Sequence, residues 1–130
     1  MTQTKKAMLN HLALSVVNLQ KATDFYKNII QLDEMEEPFK DGKHSWFKLA
    51  EHSQLHLIEA SAAIRTHDKS THLCFSVQSI EEFTERLEKA NIAYGNFPGT
   101  SKSPTIRPDG VKQIFLQDPD GYWLEINNDN

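Results

Sequence analysis

Apolar and polar residues alternate in short runs, interrupted by two stretches of helical spacing, and the whole pattern occurs twice. Leu12, Leu14 and Val16 alternate with His11, Ala13 and Ser15; Leu73, Phe75 and Val77 alternate with His72, Cys74 and Ser76. A period of two marks a strand with one face against a core. The two hexapeptides agree at His, Leu, Ser and Val and lie 61 residues apart. Asn18 and Ser79 follow at the same offset, where a helix N-cap is expected, and Ser79 with Glu82 has the capping-box spacing. Leu19, Ala22, Tyr26 and Ile29 then form one helical stripe, and Ile80, Phe83, Leu87 and Ala90 a second. Each helix therefore has one face to bury.

Beyond each helix the period returns toward two. The first copy predicts strands near Asp33 to Phe39, Lys43 to Ala50 and Gln54 to Glu59, with turns at Lys40-Asp41-Gly42 and around His52. In the second, Ile92 to Tyr94 reads as a short strand and Phe97 to Gly110, with three Pro and two Gly, as a long loop. Asp118-Pro119-Asp120-Gly121 has type I turn chemistry, so Gln113 to Gln117 and Tyr122 to Asn127 are predicted to form a hairpin. Each copy is thus β-α-β-β-β. The expected layout is an α+β chain with module one at about 9–59, a linker at 60–71 and module two at about 72–127.

At 130 residues the chain has the length of one domain, so the modules are expected to form a single domain over 1–130. A formal charge of −4 without a Lys/Arg cluster argues against nucleic acid. No apolar run approaches the roughly 18 residues of a membrane span. The single Cys74, and a start at Met1 to Lys6 that leads into no apolar stretch, point to the cytoplasm. Six His in so short a chain stand out.

The alternation gives these His a setting. If Leu12, Leu14 and Val16 pack under a helix, His11 faces the other way, and so does His72 in the second copy. Leu55-His56-Leu57 aligns with Leu124-Glu125-Ile126, so His56 and Glu125 share a slot in the last strand of each module. Three His and one Glu suit a divalent Zn, Ni, Fe, Mn or Co ion, with one or two positions left for substrate or water. A lone strand His is more often a hydrogen-bonded structural residue, and the argument for metal rests on all four together. His44 and Trp46 are candidates to line a pocket, although exposure beside a turn is the commoner reason for such a His. Arg107 is a candidate grip for an anion, with a solvated surface charge as its alternative. His52 and His67 are expected to face solvent, Cys74 to be a small buried filler, and Tyr122 and Trp123 to pack in the sheet or a dimer contact.

Asn10 through Val16, Asp24-Phe25-Tyr26, His72 through Val77 and Asp118 through Glu125 resemble the vicinal oxygen chelate superfamily, over about Leu9 to Asn127. That superfamily includes glyoxalase I, fosfomycin-resistance thiol transferases, extradiol dioxygenases, epimerases and metal-free bleomycin-binding proteins. The resemblance implies paired βαβββ modules forming a cupped mixed sheet with helices outside. It also implies a homodimer in which His11 and His56 of one chain share a metal with His72 and Glu125 of the other. His56 stands where glyoxalase I usually has Glu, which makes the site one charge more positive. The glutathione anchors of glyoxalase I are missing, since the corresponding stretches read Leu57-Ile58-Glu59-Ala60 and Asp68-Lys69-Ser70-Thr71. The implied activity is a glyoxalase-like lyase or isomerase for a small substrate with adjacent oxygens, using Glu125 as base. The alternatives are a thiol transferase or extradiol-type dioxygenase on the same metal site, or a non-catalytic small-molecule binding protein.

Overall fold

Both repeats fold as strand, helix and further strands, and in both the last strand returns beside the first. The computed structural model describes residues 6–62 and 66–130. Its two compact units are Met1–Ala63 and Ile64–Asn130. The boundary falls within the stretch read as a linker; residues 63–65 of that stretch, and residues 1–5 of the start, lie outside those described.

In the first unit β1 (His11–Val16) leads to helix α1 (Leu19–Asp24), continued by a π-helical turn over Phe25–Ile29. Strands β2 (Asp33–Met35), β3 (His44–Ala50) and β4 (Ser53–Glu59) follow, in the sheet order β1-β4-β3-β2 with β1 parallel to β4. The second unit runs β5 (His72–Ser76), α2 (Ile80–Lys89), β6 (Tyr94–Gly95), β7 (Thr105–Ile106), β8 (Lys112–Gln117) and β9 (Trp123–Asn127). Its order is β5-β9-β8-β6, with β7 paired to β8 and β5 parallel to β9. This is the predicted α+β class, with one mixed sheet in each unit.

The caps are where the sequence puts them. Lys21 N donates to Asn18 Oδ1 at 3.0 Å and Glu82 N to Ser79 Oγ at 3.1 Å. Ala22 and Tyr26 bury the predicted stripe of the first helix, and Phe25 and Thr23 are buried as well. Thr23 and Phe25 lie three or four residues from the predicted positions and so widen the same helical face, and the π turn is marked by Ile30 N donating to Phe25 O at 3.2 Å, five residues back. Thr23 meets Ser45 of β3 through a buried hydroxyl pair at 2.8 Å. In α2 the stripe is Ile80, Phe83 and Leu87, while Ala90 caps the helix end and is exposed.

Most strand ends fall within one residue of expectation, and the larger differences each have a local reason. β2 stops at Met35 instead of Phe39 because the Glu37 carboxylate takes the Phe39 and Lys40 amide hydrogens. β6 begins at Tyr94, since Ile92 N donates back to Leu87 O and finishes the helix. The loop from Phe97 to Gly110 contains β7, which a turn closed by Arg107 N to Val111 O and Gly110 N to Arg107 O folds back onto β8. The hairpin turn forms as predicted, with Gly121 N on Asp118 O at 3.0 Å and Gly121 at φ 85°.

Register divides each sheet into two faces. Leu12, Leu14 and Val16 sit beside Leu55, Leu57 and Glu59 on the helix side of the first unit, where Leu14, Val16, Leu55, Leu57 and Phe47 are buried. Leu124, Ile126, Ile114 and Leu116 form the same layer in the second. The other faces carry His11 and His56 in one unit, His72 and Glu125 in the other. No helix among the described residues is long and apolar enough to cross a membrane.

Candidate functional site

In the second unit, strand pairing builds a carboxylate site around Glu125. Glu125 lies opposite Cys74 on β5 and Phe115 on β8, with Asn127 and Gln113 one step along the same face. Its Oε2 accepts from Gln113 Nε2 at 2.9 Å and Asn127 Nδ2 at 3.0 Å, which leaves Oε1 facing His72 Nε2 at 3.1 Å. His72 Nδ1 donates to Lys69 O at 2.8 Å, and a carbonyl can only accept, so the neutral ring has its lone pair on Nε2. Two lone pairs thus face each other at hydrogen-bond distance. Only a cation between them, a proton on Nε2 or a metal ion, makes the contact attractive. Burial acts to raise the Glu125 pKa, but hydrogen bonds from Gln113, Asn127 and Cys74 and the charge of His72 outweigh it and hold the carboxyl below its ordinary value.

Cys74 is not the buried filler expected. The residue is exposed, yet its sulfur lies 3.1 Å from Asn127 Nδ2 and beside Glu125. Local desolvation, then the Glu125 charge, push its thiol up to about 12, so it stays protonated at neutral pH.

The first unit builds a stack of rings on the equivalent face. His56 is sandwiched between Trp46, at 3.9 Å and 2° between planes, and His11, at 4.2 Å and 13°. Phe39 stacks on His44 at 4.3 Å and meets Trp46 edge-on. His56 is 8% exposed; burial, then the charges of His11 and His44, lower its pKa and keep it neutral. His56 Nε2 donates to Gln54 Oε1 at 2.8 Å, and Asn10 Oδ1 accepts from His11 Nδ1 at 2.7 Å. The indole Nε1 of Trp46 is buried with no hydrogen-bond partner.

The four residues singled out from the sequence are thus brought together as two pairs, one in each unit. Among the described residues no three His, Cys, Asp or Glu group closely enough to hold a metal ion. His44 is mostly buried, with Nδ1 held by Asp41 Oδ1 at 2.9 Å, and it borders a shallow depression with Glu34, Met35, Glu37 and Lys40. Arg107 has its guanidinium on Asp109 and Asp129, so an incoming anion would compete with two carboxylates. His52 is exposed as expected, whereas His67 meets Tyr122 at 4.3 Å with the rings tilted by 35°, and its buried Nε2 finds no hydrogen-bond partner among the described residues. Trp123 donates from Nε1 to His67 O at 3.2 Å, and the Lys69 ammonium lies 4.5 Å from its ring. Sequence reasoning missed Gln113, Asn127 and Lys69. Asn127 was legible as a polar position two residues from Glu125 and Gln113 as its cross-strand partner in the predicted hairpin; Lys69 was not, because its role depends on loop geometry.

Whether these donors suit a divalent metal is a matter of lone pairs. His72 and His11 both commit Nδ1 to an oxygen and keep Nε2, the arrangement that metal-ligating His usually adopt. Glu125 adds one available oxygen, so the second unit offers such an ion one nitrogen and one oxygen, and His11 offers a nitrogen in the first. His56 fits less well: an ion must lie in the plane of each imidazole that binds it, and rings stacked at 13° share no such point until one turns.

The sequence matches the Glyoxalase/Bleomycin resistance protein/Dioxygenase superfamily over residues 8–126. The metallothiol transferase FosB of Shouchella clausii is 30% identical over 92% of this chain and 78% of its own. A lactoylglutathione lyase of Pseudomonas putida is 24% identical over 95% of this chain and 86% of its own. Among solved structures, the fosfomycin resistance protein FosX of Listeria monocytogenes superposes with a TM-score of 0.73 at 25% identity, covering 97% of this chain and 96% of that one. On the strength of a match along nearly its whole length, this chain belongs to the glyoxalase/bleomycin resistance/dioxygenase superfamily.

Proposed function

We propose that this chain is a metal-dependent enzyme of glyoxalase type, a lyase or isomerase acting on a small substrate with adjacent oxygens. His11, His72 and Glu125 are its metal ligands, and His56 joins them once its ring turns out of the stack. The observation that carries this reading is the lone-pair contact between His72 Nε2 and Glu125 Oε1 at 3.1 Å. A divalent metal held there would polarise the substrate oxygens and stabilise the charge left when a carbon-bound proton departs. Glu125 is the base. Its Oε2 is occupied by two amide donors, so Oε1 would have to loosen from the metal to take the proton and return it to the neighbouring carbon. His56, held neutral, leaves the site one charge more positive than a carboxylate in its slot would. We further take the active form to be a homodimer in which each site draws on both chains.

The test is metal content of protein purified without added metal, together with solvent-deuterium incorporation into thiohemiacetals of 2-oxoaldehydes. Glu125→Gln is expected to keep the fold and much of the metal while losing at least about a hundredfold in exchange rate; undiminished exchange removes Glu125 from the proposed role. Mixing inactive His11→Ala and His72→Ala chains should restore about a quarter of the activity if sites are shared, because half the dimers then hold one intact site of two. The match to FosB, with the missing glutathione anchors, favours thiol addition to an epoxide as a second reading. Turnover of an epoxide with a thiol other than glutathione, and none of the oxoaldehyde adducts, would select it.

A further inference from the structure

A cavity of about 500 Å³ opens in the second unit, walled by Tyr94, Phe115, Trp123, Ile92 and Gln117 and carrying the Lys69 and Lys102 side chains. It adjoins the Glu125 site through shared residues. Phe115 meets the His72 ring edge-on at 5.7 Å, and Trp123 is the register partner of His72. Lys69 belongs to both: its carbonyl receives the His72 Nδ1 hydrogen, and its ammonium reaches into the cavity. The two lysines differ in their counter-charges. Lys102 is paired with Glu88 at 2.8 Å, whereas the hydrogen bond found for Lys69 Nζ is to a neutral acceptor, Phe97 O, at 2.7 Å. Lys69 Nζ also lies 4.5 Å from the Trp123 ring and 5.6 Å from that of Phe97. Among the described residues no carboxylate pairs with this half-buried ammonium, which rests on ring faces and one carbonyl. An anion entering beside it replaces a neutral partner with a charged one.

We propose that this cavity is a binding subsite for an aromatic carboxylate, with Lys69 as counter-ion and the faces of Trp123, Phe115 and Tyr94 enclosing the flat apolar body. The volume is within the range of small-molecule sites, and a ring with one anionic end matches a mixed lining that sets Tyr94, Phe115 and Trp123 beside Lys69 and the polar Asn96 and Ser101. Joined to the proposed metal site, the subsite defines the substrate: adjacent oxygens at His72 and Glu125, and a flat, carboxylate-bearing tail against Lys69. That second step rests on the function proposed above. Binding to the cavity does not.

The two are separated by working with the full chain after EDTA treatment. Benzoate and its neutral analogue benzamide are titrated against 15N-labelled protein, following the Trp123 indole N–H, which is fixed on His67 O. Benzoate is expected to shift that signal saturably and benzamide to bind at least about tenfold more weakly, as befits a charge-assisted contact. Lys69→Met should weaken benzoate by a similar factor, Lys69→Arg should restore it, and Lys102→Met should leave it within about twofold, its ammonium being already paired. An unchanged amide spectrum away from the cavity shows that each variant folds. Equal binding of benzoate and benzamide, or full benzoate affinity in Lys69→Met, overturns the proposal. Absence of metal or of turnover overturns only the catalytic reading.

Discussion

Removing an amide that faces Glu125 tests whether the protein is built to hold this carboxylate as an anion. Glu125 is 6% exposed, and its Oε2 relies on Gln113 Nε2 at 2.9 Å and Asn127 Nδ2 at 3.0 Å. A hydrogen bond to a charged group contributes about 1.5–3 kcal/mol; Gln113 is only half-buried, so the lower end, about 1.5–2 kcal/mol, applies. Gln113→Leu should therefore destabilise the metal-free protein by about 2 kcal/mol, against a total of about 6–20 kcal/mol for a chain of this length. In a Glu125→Leu background the acceptor is already gone, and the same change should cost about zero or even stabilise, because it also removes an unsatisfied amide. The expected coupling is about 1.5–2 kcal/mol. Urea unfolding in EDTA, followed by far-UV circular dichroism with the slopes compared, measures all four corners of the cycle. The pH dependence gives a sign. Because the folded carboxyl titrates below its unfolded value, the coupling is full above the unfolded carboxylate pKa and is lost as pH falls through the folded one. Equal cost of Gln113→Leu in both backgrounds, or a coupling that grows on acidification, would refute the reasoning.

Leu57 is fully buried beneath the first helix, and Leu57→Ala should lower stability by about 2–5 kcal/mol in the same assay, a loss that metal does not restore. Metal binding to the folded state should raise the melting temperature, by the equivalent of about 2.7 kcal/mol at a hundredfold excess over Kd. Calorimetric scans should show this rise abolished in His72→Ala and largely kept in His56→Ala, since the His56 ring lies in a stack. A His72→Ala protein that still gains stability from metal would place the ion elsewhere.

The parts of the molecule that follow from local rules were legible in the sequence. Alternation at His11 to Val16 and His72 to Ser76 gave the strands and their faces, because an apolar residue on the wrong face of a half-buried strand exposes its whole set. Asn18 and Ser79 gave the helix starts, because a cap is a contact over three residues. What escaped depended on side chains reaching across the chain. The Glu37 carboxylate ended β2, and a turn around Asp109 folded Ile106 back onto Lys112; neither is visible as periodicity. At the site the pairing of His72 with Glu125 and of His11 with His56 was implied by the resemblance to the vicinal oxygen chelate superfamily, but rotamers were not. A slot fixes where Cβ lies, and the stacking of His56 on Trp46 is decided by χ angles set by neighbouring rings. Lys69 stands in a stretch that lacks the glutathione anchor of glyoxalase I, and only the loop geometry shows its carbonyl on His72 and its ammonium in a cavity.

The two units also show how a slot and its surroundings go together. Register puts His56 beside Trp46 and Ala13, and Glu125 beside Phe115 and Cys74; one step along, His44 and Ile58 in the first unit correspond to Gln113 and Asn127 in the second. Where the slot holds an anion, those two positions supply amide hydrogens. Where it holds a neutral imidazole, they supply a ring and a hydrocarbon, and the imidazole is covered by aromatic faces. Ring faces carry negative potential. A carboxylate placed at His56 would meet the face of Trp46 without the paired amides that hold Glu125, so exchanging the two residues is not a conservative change even though imidazole and carboxylate can both ligate divalent metals. The difference between His56 and Glu125 is therefore a property of the whole face: it makes one face a neutral stacking surface and the other an anionic, hydrogen-bonded one.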